Sequence, residues 1–542
     1  MTNSNYTMRT IKTMVTSAFL AVLLFGCGGT AAILSTPVEN IDTSPLKVSE
    51  LTDAEKNNWG HLDLVKDTIP GMSVDKAYAE IIKNKKGKKV IVAVIDSGID
   101  IDHEDLNDVI WTNKGEIPNN GKDDDKNGYV DDVHGWNFLG DGYNEQLEFV
   151  RILATGNTSH PDYAKAKAEY DKEYQKWLGR KTQYDQIFQQ IKTTDDTLIK
   201  HFGKKDYTKK EVAAIKTEDE ALAQAQQIAN YLFSNGTESM ADALKEIENS
   251  LVSINDRLNY HLNKDLKGRV TGDNPDDMST KFYGNGNVKP VKKSESHGTH
   301  VAGIIAAERN NGKGANGVAN NVQIMSVRTV PNGDEYDKDV ALAIRYAVDN
   351  GAKVINGSFG KSFSTHSDWT RDAIAYAGKN DVVFVHAAGN DSNDVDKKPN
   401  FPDDNINGVE VSDSYIRVGA LAPKYGSGMI AGFSNYGKQN VDVFAPGASV
   451  YSTTPENEYD TKGGTSMAAP GVAGIAALIR SYFPNLSAAQ VKQIIMDSGL
   501  ALKTKVIVGG NSEDIRPFAD LSKSAKMVNA YNALIMAAKL SK

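Results

Sequence analysis

The most constraining feature of this chain is a continuous apolar run that ends in an acid, Val90-Ile91-Val92-Ala93-Val94-Ile95-Asp96. Such a run, rich in β-branched residues, is typical of a strand buried on both faces of a parallel sheet. Helical patterns separate it from similar short runs at 321–328, 354–359, 382–387, 416–420 and 441–444. This alternation predicts an α/β fold with a doubly wound, mostly parallel sheet. In such sheets the chemistry gathers at the carboxyl ends of the strands, where Asp96 lies.

Helices are predicted near 74–84, 297–308, 337–349, 368–379, 466–482 and 487–498. Two of them open on residues suited to catalysis. Ser466 stands among small residues in Gly464-Thr465-Ser466-Met467-Ala468-Ala469-Pro470, so a substrate can approach its hydroxyl closely. A serine there is also a common helix cap. His297 and His300 are one helical turn apart, so spacing alone leaves either of them as a candidate base.

These segments resemble those of the subtilisin-like serine proteases, in which the acid, the histidine and the serine follow in that order. Further motifs extend the resemblance over roughly 60–139 and 286–538: Val354-Ile355-Asn356-Gly357-Ser358-Phe359-Gly360, Ala387-Ala388-Gly389-Asn390 and Phe433-Ser434-Asn435-Tyr436-Gly437. The resemblance implies that Ser466 is the nucleophile, His297 the general base and Asp96 the residue that orients the base. His300 is then assigned a structural role.

The resemblance also implies a substrate site. Asn390 is expected to supply a side-chain donor to the oxyanion, together with the Ser466 backbone N–H. An extended polypeptide is expected to lie along Ser358, Phe359, Gly360, Ala387, Ala388 and Gly389, held mainly through its backbone. Gly357, Phe359 and His386 depart from the usual family residues near the expected specificity pocket, so no side-chain preference is carried over.

The amino terminus is expected to be a targeting segment. Arg9 and Lys12 precede a short apolar stretch that ends at Cys27, the only cysteine of the chain. Residues 1–27 resemble a lipoprotein signal peptide in which Cys27 becomes the lipidated mature terminus; the alternative is a secreted protein with an incidental cysteine. Residues 28–54, rich in Thr, Ser, Pro, Asn and Asp, are predicted to form a flexible tether. The expected location is the cell envelope, outside the cytoplasm.

A composition change divides the rest of the chain. Residues 55–139 and 286–542 are predicted to form the catalytic domain, and 140–285, rich in Lys, Glu, Gln, Asp and Tyr, a helical insertion. Within it, apolar residues recur at helical spacing from Tyr163 to Ile191 and from Leu244 to Leu258, and a shorter helix is expected over Glu218 to Phe233. The insertion is either an arm that covers the site or recruits a protein partner, or a tolerated surface addition.

An acidic loop, Asp123 to Asp132, is a candidate metal site. Asp123, Asp125, Asn127 and Asp131 occupy positions 1, 3, 5 and 9 of a calcium-loop pattern, with glycine at position 6. Position 12 is His134, so the bidentate glutamate of an EF-hand is missing. Calcium is a common structural ion among the resembled proteases, and a solvated acidic turn is the alternative. No cofactor is expected for the chemistry itself.

Composition limits the partners. A net charge of −9 and a pI near 5.7 argue against a nucleic-acid ligand. The function predicted from these features is that of a serine endopeptidase acting on polypeptides through an acyl-enzyme, tethered to the bacterial envelope. The alternative is a catalytically idle binding protein that keeps the fold and uses the helical insertion.

Overall fold

The computed structural model describes residues 36–39 and 41–541. Its strands are β1 Val90–Asp96, β2 Gly135–Asn137, β3 Val322–Arg328, β4 Val354–Gly357, β5 Val383–Ala387, β6 Asn405–Ile406, β7 Val409–Glu410, β8 Tyr415–Leu421, β9 Val443–Pro446, β10 Val450–Thr454, β11 Glu458–Lys462, β12 Leu500–Ala501, β13 Lys505–Val508, β14 Asn511–Pro517 and β15 Lys526–Met527. Nine of these described strands form one sheet in the order β12-β15-β9-β8-β5-β4-β1-β3-β2. All of its pairs are parallel except β12 with β15. The predicted α/β fold with a mostly parallel sheet is confirmed.

The described helices follow the chain in this order: α1 Asp53–Asn58, α2 Leu64–Asp67, α3 Val74–Ala77, α4 Glu148–Ala154, α5 Tyr163–Phe202, α6 Lys209–Ala213, α7 Glu220–Ser234, α8 Met240–Asp256, α9 His297–Ala306, α10 Asp337–Asp349, α11 Ser367–Lys379, α12 Thr465–Tyr482, α13 Ala488–Ser498 and α14 Ala530–Leu540. The helix predicted at 74–84 is α3 followed by a π turn at Tyr78–Ile82. One buried cluster joins α9, α12, α13 and α14 to one face of the sheet, and a second holds α10 and α11 against the other. This two-sided cover makes β4 and β5 buried throughout, and β1 buried except at Ile91.

Two differences from the predicted strands have local reasons. β2 was not predicted, because three residues are too short to display a periodic pattern. β4 ends at Gly357 rather than at 359, since Ser358 leaves the sheet to contact the start of α12.

The segment predicted as a flexible tether contacts the catalytic domain at Val38 and Ile41, within its described residues 36–39 and 41–54. The backbone N–H of Val38 donates to Asn532 Oδ1 at 2.8 Å, and Asn532 Nδ2 donates to the Val38 carbonyl at 3.0 Å. Ile41 is buried in an apolar cluster with Trp59. Val38 and Ile41, which composition alone overlooked, therefore attach the first part of this stretch to the catalytic domain. Cys27 and the expected signal peptide lie outside the described residues.

The insertion has a base and a distal part. At the base, α4 packs on the first turns of α5 around Phe149, Val150 and Ile152. The α5 helix contains 40 residues, a length of about 60 Å. Its second half packs with α7 and α8 in a separate cluster around Leu198, Val212 and Ala229. No helix within 36–39 and 41–541 is long and apolar enough to cross a bilayer.

Candidate active site

Asp96 and His297 lie against each other at the carboxyl edge of the sheet. Asp96 is the last residue of β1, and its side chain is 1% exposed; His297 is the first residue of α9. His297 Nδ1 lies 2.7 Å from Asp96 Oδ1, which also accepts the Ser97 N–H at 2.8 Å. Because a carboxylate can only accept, the imidazole carries its proton on Nδ1 and leaves the lone pair of Nε2 free.

Charge around the imidazole sets its basicity. Burial alone would lower the pKa of His297, but the adjacent Asp96 carboxylate outweighs burial and raises that pKa above its usual value. His300 behaves differently: burial lowers its pKa to about 3, and its Nε2 faces the Asp460 carbonyl at 3.1 Å. His300 is therefore neutral and held by the backbone of β11, away from Asp96.

Ser466 is the second residue of α12, which packs on α9. Its Oγ donates to the Ser358 carbonyl at 3.0 Å, and Ser358 Oγ donates in return to the Ser466 carbonyl at 2.9 Å. The second bond has a cause in the sequence: Pro470, four residues on, has no N–H to pair with that carbonyl. Asn356 Nδ2 donates to Ser358 Oγ at 2.9 Å and fixes its orientation.

Asn390 follows β5 and meets the start of α12. Its Oδ1 accepts the Thr465 N–H at 2.8 Å and the Thr465 hydroxyl at 3.0 Å, so its Nδ2 is turned the other way. A Cβ placed on Gly464 would lie 3.4 Å from that Nδ2 and 3.6 Å from the Ser466 backbone nitrogen. Both donors therefore border one small space that glycine keeps open, and this space can accept a negatively charged oxygen.

The expected substrate residues divide into two groups. Ser358 contacts the nucleophile directly, and Gly360, two residues further along, is exposed. The side chains of Ala387 and Ala388 are buried in the core. Phe359 is buried as well, with its ring 5.7 Å from that of His386, so its side chain packs beneath the sheet edge.

Several residues that organise this site were missed from the sequence. Arg328 is fully buried and donates to the Ser97 carbonyl at 3.2 Å and to Glu295 at 2.8 Å, next to both Asp96 and His297. Asn435 Oδ1 accepts the N–H groups of Asp391 and Asn393, which shapes the loop after Asn390. Arg328 ends a predicted strand, beside the strand that carries Asp96, and that position was the available signal.

The acidic loop gathers a different set of carboxylates from the one predicted. Oxygens of Glu116, Asp123 and Asp125 lie within 4.8 Å of one another. Asp131 is separate, because its carboxylate accepts the N–H groups of Asn120 and Gly121. Asn127 Oδ1 accepts the Tyr129 N–H at 2.8 Å and serves the turn. The three-carboxylate cluster has the donor chemistry that suits a hard cation such as Ca²⁺.

A serine, a histidine and an aspartate at the carboxyl edge of a parallel sheet are typical of serine hydrolases with an α/β fold. The chain belongs to the subtilase family, whose sequence profile (Peptidase_S8, Subtilase family) matches residues 87–516. Membership places it among the subtilisin-like serine endopeptidases.

Three relatives illustrate the match. The chain is 43% identical over 191 residues to the thermophilic serine proteinase of Bacillus sp. (strain AK1), covering 35% of this chain and 44% of that one. It is 40% identical over 220 residues to thermitase of Thermoactinomyces vulgaris, covering 40% and 70%. It is 40% identical over 197 residues to subtilisin DY of Bacillus licheniformis, covering 36% and 67%. The first of these matches thus spans less than half of the relative's length.

Proposed function

We propose that the protein hydrolyses polypeptides by a serine mechanism in which Ser466, His297 and Asp96 act together. The observation that carries this proposal is the contact between the buried Asp96, at the carboxyl end of β1, and the partly exposed His297, with α12 packed on the helix that His297 begins. Rotation of the Ser466 side chain to a second staggered conformer would redirect its hydroxyl from Ser358 toward His297 Nε2. His297 would take the hydroxyl proton as Oγ attacks the scissile carbonyl, and would return it to the leaving amine.

Asn390 Nδ2 and the Ser466 N–H are proposed to bind the oxyanion of the tetrahedral intermediate. Asn390→Ala should lower kcat for casein about 10²–10³-fold and change KM little, because these bonds strengthen only as charge develops on the oxygen. Steady-state kinetics at saturating casein would measure this effect. Asn405→Ala is a matched control, since Asn405 lies in β6 and its amide donates to Asn440. A variant that keeps more than a tenth of kcat would contradict the role.

We also propose a structural Ca²⁺ held by Glu116, Asp123 and Asp125. Chelation should then lower the melting temperature, since an ion at 100 times its Kd stabilises a folded protein by about 2.7 kcal/mol. Asp125→Asn should reduce this response, while Asp131→Asn should keep it, because Asp131 lies outside the cluster. Calorimetry with and without EGTA decides the point, and identical melting curves would contradict calcium binding.

The proposed location is the cell envelope, with Cys27 lipidated. The supporting observation is the sequence at 9–27, in which two basic residues precede an apolar stretch that ends at Cys27. Cells fed with radiolabelled palmitate should label the wild-type protein and leave Cys27→Ala unlabelled. Label in both proteins, or in neither, would count against this anchoring.

A further inference from the structure

The loops that leave β3 and β4 flank the catalytic aspartate. In the sheet, β3 and β4 are the two neighbours of β1, which ends at Asp96. Residues 329–336 follow β3, and residues 358–361 follow β4. Because parallel strands end at one edge, we expect the space between these two loops to form a crevice above the catalytic pair.

The insertion begins by pairing with the first of these loops. The Asn332 N–H donates to the Tyr143 carbonyl at 2.7 Å, and the Glu145 N–H donates to the Asn332 carbonyl at 2.9 Å. The Asp334 carboxylate then accepts the N–H of Glu148, the first residue of α4, at 2.8 Å. The base of the insertion is thus fixed to the loop after β3 by an isolated β-bridge between Asn144 and Asn332 and by the start of α4.

The same helix holds the second loop through a buried ion pair. Glu148 Oε2 lies 3.1 Å from Lys361 Nζ, and the two side chains are 6% and 1% exposed. Lys361 Nζ also lies 3.0 Å from Asp337 and donates to the Glu335 carbonyl at 2.8 Å. One lysine of the loop after β4 is therefore bound both to the insertion and to the loop after β3.

Lys361 directly follows the segment Ser358–Gly360, whose first residue contacts the nucleophile Ser466. At its first residue this segment exchanges hydrogen bonds with Ser466. At its end, Lys361 pairs by its backbone with Phe401, in bonds of 3.0 and 2.8 Å, and by its side chain with Glu148. Gly360 has no side chain of its own to fix it, so the side-chain anchor of this end comes from Lys361.

We propose that Glu148 is a positioning residue. Through it, the base of the insertion sets the distance between the segment Ser358–Gly360 and the loop after β3. That distance determines the affinity for an extended polypeptide. This inference rests on the proposed function, since it assumes that substrate lies in that crevice. It gives the insertion a part in polypeptide binding at its base, independent of its distal helices.

Glu148→Gln tests the proposal with an isosteric side chain. Lys361 retains Asp337, and Arg151, which also donates to Glu148 Oε2, retains the carbonyls of Gln146, Asp334 and Glu335. Fluorescein-labelled casein serves as the polypeptide probe. We expect KM to rise about tenfold, the size of one hydrogen bond to a charged group, while kcat changes less than about twofold. A purely structural role would lower the melting temperature without this split between KM and kcat.

Binding is measured separately in the Ser466→Ala background, where no turnover occurs. Fluorescence anisotropy should give a Kd for casein about tenfold weaker when Glu148→Gln is added. The matched control is Glu238→Gln, an 82% exposed glutamate that pairs with Lys209 on the distal insertion, and it should leave Kd within about twofold.

The outcomes separate the two claims. An unchanged Kd and KM in folded Glu148→Gln, or a fall in kcat alone, would overturn the positioning role. Wild-type protein that binds casein without hydrolysing it would overturn the proposed function, while the Kd comparison would still decide the inference. Should Glu148→Gln fail to fold, Thr365→Val removes one donor to Glu148 and should weaken Kd in the same direction.

Discussion

Ser466→Ala should lower kcat for casein hydrolysis by about 10⁶-fold without unfolding the protein. In subtilisin, a member of the same family, removal of the serine costs about 2 × 10⁶ in kcat. The structural cost is small, because the hydroxyl makes one hydrogen bond, to the Ser358 carbonyl, and the bond from Ser358 to the Ser466 carbonyl remains. The melting temperature should therefore stay within about 2 °C.

Ser250→Ala is the control for this substitution, since Ser250 is a serine of the distal insertion that bonds only its own helix at Glu246. It should keep wild-type kcat. Casein hydrolysis that persists in Ser466→Ala above about 1% of wild type, in protein free of contaminating peptidase, would rule out Ser466 as the nucleophile.

Asp96→Asn should lower kcat by about 10⁴-fold. The amide can offer an N–H to His297 Nδ1, which favours the tautomer protonated on Nε2 and leaves no lone pair to accept the serine proton. The carboxylate also raises the pKa of His297, and only the neutral imidazole can act as a base. Residual activity of the variant should therefore begin at lower pH than in the wild type.

The pH profile of kcat/KM, measured for both proteins, separates this effect from simple damage. The wild-type profile should rise through a pKa above the usual histidine value, and that limb should move toward acid in Asp96→Asn. Asp100→Asn, on the exposed side of the same loop, is a control that should leave the limb in place. An acid limb of the kcat/KM profile that does not move in Asp96→Asn would contradict the direct contact between Asp96 and His297.

The sheet could be predicted well because buried parallel strands carry their own pattern. The run 90–95 is apolar at every position, and the structure places all seven residues of β1 in register with β3. Short elements could not be predicted from the sequence, since β2 has only three residues and its pairing with β3 depends on tertiary contacts. The attachment of Val38 to Asn532, 494 positions away, has no local signal at all.

Within the site, residue types could be predicted but their mutual dependence could not. Gly357, Phe359 and His386 each depart from the family pattern, and the structure gives them one cause. A Cβ on Gly357 would lie 2.9 Å from the Phe384 ring and 3.2 Å from the Phe359 ring. The glycine thus makes room for two aromatic rings that pack around His386, whose pKa burial lowers well below its usual value.

In the acidic loop, too, the residue types could be predicted from the sequence but their arrangement could not. The spacing 1, 3, 5 and 9 suggested Asp131 as a ligand, but a positive φ of 56° at that residue turns its carboxylate toward the N–H groups of 120 and 121. Glu116, from outside the pattern, lies instead beside Asp123 and Asp125.

The most direct test of the account is to label the folded protein with a fluorophosphonate probe and map the adduct by mass spectrometry. An activated serine should react, and we predict one adduct, on Ser466, that is lost in Ser466→Ala and slowed in Asp96→Asn. An adduct on another serine, or no adduct on protein that is folded by calorimetry, would contradict the assignment of Ser466, His297 and Asp96 as the catalytic residues.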